Sequence, residues 1–384
     1  MKLSRKLMLA GMLVAGTALA QTEQWLEYHI AADNEGRGYS QMTLTTNPPP
    51  NVTLPALNPV NGAPYFAEWK TPMDPAGKRW ICVDRTRKSG PYNRLFIDSD
   101  GNGRLDDEAP VMARLDSNFG HFPATPLIFK GEDGPITYHL AFRFYQYGNS
   151  QAQLLAQSAG WYEGPVKFDG VKKHLRLMDN NVNGTFNDIE SSPYRSDSVE
   201  VDGDRTGTRF LGRLLEVDGK YYTFQADRDG AFVKAQKADV TLGPVQMPAS
   251  ITSFAAFGTN GYFLRQSAKG EFTLPVGQYR VVSWEIQRKD DKGANWKLSA
   301  YNFPDTHHFE VVASQAVTLD IGEPVKAVLT SQARGTQTGF NLKFVGKQGE
   351  DIQFLRDNQR PRGPKLMLAN AAGTLCYTNT FEFG

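Results

Sequence analysis

The sequence predicts an all-β protein, assembled from several β-sandwich or β-meander domains in tandem with two loop insertions. Three observations carry this. Apolar residues alternate with polar ones over short runs: Ile136, Tyr138, Leu140, Phe142 and Phe144 share one face of an extended strand, with Thr137, His139 and Arg143 opposite. Glycine and proline punctuate the chain, with 36 and 22 copies, at the intervals that short strands require. No segment sustains a capped 3.6-residue period; the best helical candidate, Gln151 to Ser158, would make two turns at most.

Taken in order, residues 1–20 have the pattern of an export signal. Lys2, Arg5 and Lys6 form a basic start, Leu7 to Ala15 is apolar, and Ala18-Leu19-Ala20 is a small-x-small cleavage site before Gln21. The apolar run is too short to span a bilayer, so a periplasmic or extracellular protein without membrane insertion is expected. The full chain carries 42 basic and 41 acidic residues, and loss of the three leader cations leaves 39 against 41, net −2. Such a balance offers no electrostatic attraction to nucleic acid. The remaining length of about 364 residues exceeds one ordinary core.

The stretch Asn47 to Pro64, rich in Pro and Asn, reads as a long irregular connection. Between Leu211 and Gln236, the dipeptides Asp218-Gly219 and Asp229-Gly230 separate three alternating runs, a β-meander. Pro275-Val276-Gly277 opens a strand from Gln278 to Ile286, which Asp291-Lys292-Gly293 turns into Asn295 to Tyr301. We therefore expect β domains at 21–150 and 151–245, and a C-terminal region at 246–384 forming one large or two small sandwiches. Cys82 and Cys376 are the two cysteines. In an oxidising compartment they could pair, or each could serve as a small buried apolar residue.

The most specific pattern lies at 179–190. Asp179, Asn181 and Asn183 stand at the first, third and fifth places of a twelve-residue loop, and Gly184 at the sixth. Thr185 offers a carbonyl at the seventh, Phe186 is apolar, Asn187 can act directly or through water, and Glu190 closes. Alternate side chains of a tightly curled loop converge on one point, and glycine at six lets the seventh carbonyl turn inward. The segment 98–109 repeats the plan with Asp98, Asp100, Asn102, Gly103 and the carbonyl of Arg104. Its closing Glu108 comes one residue early, so this loop closes in contracted form or shares closure between Asp106 and Glu108. These sets of hard oxygen ligands point to Ca2+ as the bound ion. Low ligand charge in the second loop and irregular spacing in the first imply affinities on the order of 10⁻⁴–10⁻³ M, suited to a constitutive structural ion.

Both segments resemble EF-hand loops, and dockerin-type modules are similar, but the resemblance covers two dozen residues. Strand-like runs lead into each loop, and Pro110 and Pro193 soon after forbid a regular exiting helix. The resemblance therefore implies calcium binding without helix-opening sensor behaviour. Gly270 to Arg280 resembles the turn-and-strand signature of prealbumin-like or carboxypeptidase-regulatory-like sandwiches, which implies a sandwich and nothing catalytic.

Other candidates read more simply. Asp202-Gly203-Asp204 and Asp227-Arg228-Asp229-Gly230 lack the later ligands and read as hairpin turns. Asp305, His307, His308 and Glu310 read as solvated chain. The basic run Arg356, Arg360, Arg362 and Lys365 reads as a loop that could meet an acidic polysaccharide. Trp161, Tyr162, Trp284 and Trp296 are candidates for stacking on sugars, with core packing the simpler role. No nucleophile elbow, zinc-protease motif or phosphate loop occurs, and no catalytic residue is assigned. The expectation is a secreted, non-enzymatic multi-domain β-protein rigidified by calcium, serving as an envelope or extracellular binding or structural module; its partner is left open, with polysaccharide and an envelope protein as the candidates. The alternative is a carbohydrate-binding or carbohydrate-cleaving protein with structural calcium.

Overall fold

A computed structural model describes residues 21–32, 37–58, 61–116, 119–147, 151–203, 209–266, 269–304 and 307–382. The export signal at 1–20 lies outside them. The fold is all-β: antiparallel strands dominate, and among the described residues the helical element is one 3₁₀ turn, Pro193–Arg195. No helix there is long and apolar enough to cross a membrane.

The alternating run around residue 140 forms the strand Pro135–Tyr147, flanked by Phe119–Lys130 and Gln151–Ser158. This last segment corrects the helical expectation. Leu154 and Ala156 are buried against the core while the strand pairs with Pro135–Tyr147 on one side and Arg37–Met42 on the other. Cross-strand pairing and burial override a local helix preference worth only tenths of a kcal/mol per residue. The meander is present as Leu214–Val217, Lys220–Ala226 and Phe232–Lys237. Asp218 and Gly219 both take positive φ, as a two-residue hairpin turn demands.

One hydrophobic core draws residues from Leu26 to Ala235, so segments on both sides of residue 150 pack together rather than forming separate bodies. A second core gathers residues from Val245 to Ile352, between an eight-stranded sheet and the three-stranded sheet of Leu242–Gln246, Glu271–Pro275 and Val317–Thr318. A third, small cluster lies on the sheet that positions the first loop. That sheet comprises Tyr65–Lys70, Lys78–Asp84, Arg94–Ile97 and Val111–Met112. By period-2 alternation it sends Ala67, Trp69, Ile81 and Val83 to the main core, and Phe66, Cys82 and Phe96 to the opposite face. Val52, Leu54 and Leu57 cover that second face, so the part of the proline-rich connection at 52–57 acts as a lid. Cys82 is buried there, its thiol pushed up to about 12 by burial, while Cys376 is exposed; both are free thiols and no disulfide joins them.

Candidate metal centre

Each loop begins at the end of a strand: Arg94–Ile97 feeds Asp98, and Val171–Met178 feeds Asp179. From there the two segments fold alike, place by place. The first-place carboxylate accepts the amides of the fourth and sixth residues. Asp98 takes Gly101 at 2.8 Å and Gly103 at 3.1 Å; Asp179 takes Val182 at 2.6 Å and Gly184 at 2.7 Å. Those residues hold positive φ in both loops, with 81° and 76° in the first, 59° and 93° in the second. Third-place oxygens of Asp100 and Asn181 accept the fifth-place amide, and fifth-place oxygens of Asn102 and Asn183 accept the seventh. Short polar side chains thus fold the turn upon themselves.

The eighth-place apolar residues, Leu105 and Phe186, are buried anchors. Each donates its amide to a carbonyl from elsewhere in the chain: Leu105 to Thr53 at 2.8 Å, Phe186 to Arg228 at 3.0 Å. The lid at 52–57 and the turn Asp227 to Gly230 therefore each clamp one loop. Neither partner is visible in the loop sequences.

In the first loop, ligand atoms of Asp98, Asp100 and Glu108 all lie within 4.8 Å of one another. Glu108 reaches back to Ser99, accepting its amide at 2.5 Å and its hydroxyl at 2.9 Å. Burial raises the Asp98 carboxyl above the usual carboxylate range, opposed by Arg79. Burial likewise raises Glu108, reinforced by the charges of Asp100 and Asp98. Asp106 is turned aside to Arg104, at 2.7 Å, leaving Glu108 as the acid that faces Asp98 and Asp100. Asp107 receives the Asn102 amide at 3.0 Å.

In the second loop the acid facing the amides is Asp188. Its Oδ2 lies 3.1 Å from Asn181 Nδ2, 2.9 Å from Asn183 Nδ2 and 2.7 Å from Thr185 Oγ1. Asn187 and Glu190 are exposed, and the Glu190 carboxylate pairs with no described residue. The reason is a strap at 192–198. Glu190 donates its amide to Ser196 Oγ at 2.8 Å, and the fully buried Asp197 accepts the amides of Asp188 and Asn180. The chain is drawn outward after the tenth place, and the twelfth residue cannot fold back.

Asp179 is fully buried, and Tyr138 donates its hydroxyl to Oδ2 at 2.7 Å. Burial pushes the Asp179 carboxyl up to about 6, against the hydrogen bonds that favour its anion. Asp197 is also raised well above the usual carboxylate range, first by burial and then by the charges of Asp179 and Asp188. No lysine, arginine or histidine among the described residues forms an ion pair with any of these three carboxylates. Buried anions without a cation are costly, and a bound divalent ion would offset that cost.

The remaining candidates settle elsewhere. Asp202 and Gly203 form a turn tied to His174 and Lys173, while Asp204 and Asp305 lie outside the described residues. Tyr162 and Trp284 are core residues. Trp161 is half-buried beside His29 and the Arg176 guanidinium, and the half-buried Trp296 donates its indole N–H to Asp290 with Arg356 6.0 Å from its ring. No protein-family model, curated protein or solved structure matches this chain.

Proposed function

We propose that this is an exported, non-enzymatic calcium-binding β-protein whose two loops hold structural Ca2+, serving as an envelope or extracellular binding module. The observation that carries the reading is the shared hydrogen-bonding plan of two loops 81 residues apart, each gathering oxygens around a buried first-place carboxylate, which in the second loop has no ion-paired cation among the described residues. Conformational turns alone need neither a second copy of the pattern nor a closing acid. In this reading Asp98, Asp100, Asn102, the Arg104 carbonyl and Glu108 hold one ion. Asp179, Asn181, Asn183, Thr185 and Asp188 hold the other, with Asp188 taking the closing role that spacing assigns to Glu190. The leader pattern at 1–20 supports export into a compartment where millimolar calcium would fill such sites.

An ion binding only the native state at 100-fold over its Kd adds about 2.7 kcal/mol. Residues 21–384 should therefore melt several degrees higher in millimolar calcium than in EDTA, with magnesium giving little of the rise. Equal melting temperatures in all three conditions would remove calcium from the account.

A further inference from the structure

One hairpin contacts both loops. Trp69 and Arg79 are directly opposite in the antiparallel pair Tyr65–Lys70 and Lys78–Asp84. Arg79 faces the first loop. Its Nη1 donates to the Asp98 carbonyl at 3.1 Å and its Nη2 to the Ile128 carbonyl at 2.9 Å, while Nε meets Asp74 at 2.5 Å. Ile128 in turn donates its amide to the Ser99 carbonyl at 2.8 Å. Trp69 faces the second loop. Its indole donates to the Val182 carbonyl at 2.7 Å, and a Cβ built on Gly184 would lie 3.1 Å from the ring.

Between these contacts the side chains form a continuous stack. The Arg79 guanidinium sits 4.7 Å over Phe129, Phe129 lies 6.2 Å from Trp69, and Trp69 stacks on Tyr138 at 5.7 Å and 7°. Tyr138 ends the chain on the Asp179 carboxylate. The hairpin's turn is pinned from both sides as well: Asp74 Oδ2 would meet a Cβ on Gly101, Met73 a Cβ on Gly184, and Arg228 donates to the Pro72 carbonyl. All four stacked side chains are buried.

We propose that this hairpin couples the loops, so that calcium in one raises the affinity of the other; the inference rests on the calcium reading above. Seating an ion reorients the first-place residue. In the first loop that residue's carbonyl is held by Arg79, and in the second its carboxylate is held by Tyr138. A close-packed core transmits such shifts instead of absorbing them. Arg79 and Trp69 are positioning residues here and supply no ligand. The test is a double-mutant cycle.

Calcium titration calorimetry on residues 21–384 would compare the parent with Glu108→Gln, which disables the first loop. The counterpart is the double variant Asp188→Asn, Glu190→Gln, which disables the second. Each should weaken the surviving site about fivefold or more, the lower end of ordinary allosteric coupling. In a Trp69→Phe background the cross-effect should fall below about twofold, as expected when the linking contact is lost. If Trp69→Phe does not fold, Arg79→Lys serves, since it keeps a cation for Asp74 and loses the fork that spans Asp98 and Ile128. Two independent sites in the parent, or a cross-effect that survives both substitutions, would overturn the coupling alone. Absence of calcium heat in the parent would overturn the calcium reading itself.

Discussion

Tyr138 illustrates how much one side chain can contribute at a buried carboxylate. Its hydroxyl supplies one of the four hydrogen bonds that Asp179 accepts, the other three coming from the amides of Val182, Asn183 and Gly184. Replacement by Phe keeps the ring stack on Trp69 and deletes the hydroxyl, which donates to Asp179 and also meets Ser158. Leaving a buried anion short of a donor costs about 1–3 kcal/mol. The denaturant midpoint of Tyr138→Phe should drop accordingly with the m-value unchanged; a midpoint equal to the parent's would show that this hydroxyl is not needed there.

At the scale of the element, the loops depend on left-handed backbone at the fourth and sixth places, yet those glycines are not equivalent. A Cβ on Gly101 would come within 2.7 Å of both Arg79 Cζ and Asp74 Oδ2, whereas a Cβ on Gly103 meets nothing within 4 Å. Both alanine variants bear the conformational strain of about 1 kcal/mol that positive φ imposes on an L side chain. Gly101→Ala must also displace a buried ion pair, so its loss in urea stability should exceed that of Gly103→Ala by at least about 1 kcal/mol. Equal losses would mean the Arg79–Asp74 pair yields freely. The second loop accepts Val182 at its fourth place, with a φ of 59° unusual for a β-branched residue. Its side chain is fully packed in the main core, and that burial offsets the strain.

At the scale of the whole molecule, the second loop packs Val182 and Phe186 into the core of Leu26 to Ala235, the first anchors Leu105 in the small cluster on the adjoining sheet, and the core of Val245 to Ile352 carries neither. The cores of Leu26 to Ala235 and Val245 to Ile352 meet along a seam where Arg265 reaches Glu216 at 2.7 Å and Tyr221 at 2.9 Å, and Leu214 donates its amide to the Asn260 carbonyl at 2.9 Å. Calcium should therefore protect the two cores unequally. Hydrogen exchange should slow by up to about 100-fold in Pro135–Tyr147 and Val171–Met178 at saturating calcium, matching the stabilisation of an ion at 100-fold over its Kd. Ile251–Gly258 and Gly277–Lys289 should change little. A uniform slowing across both cores would make the seam a rigid joint and the molecule one cooperative unit.

The all-β class, the meander turns and both loop positions were legible in the chain because they rest on local rules. Alternation marks a strand, Asp-Gly marks a hairpin, and Asp, Asn and Gly at fixed offsets curl a loop through bonds spanning two to five residues. What was not legible depends on partners far away in sequence. Gln151–Ser158 became a strand because neighbours on both sides claimed its backbone. The boundary expected at residue 150 dissolved because one core uses side chains from both halves. Asp188 rather than Glu190 faces the second loop because Ser196 and Asp197 pull the exit outward. The sequence by itself determined which residues curl into loops, since the donors and acceptors lie within one turn of chain. Only the tertiary structure decided which acid faces them, what clamps them and what lies between them, because those contacts are made by backbone and rings whose spacing no local pattern records.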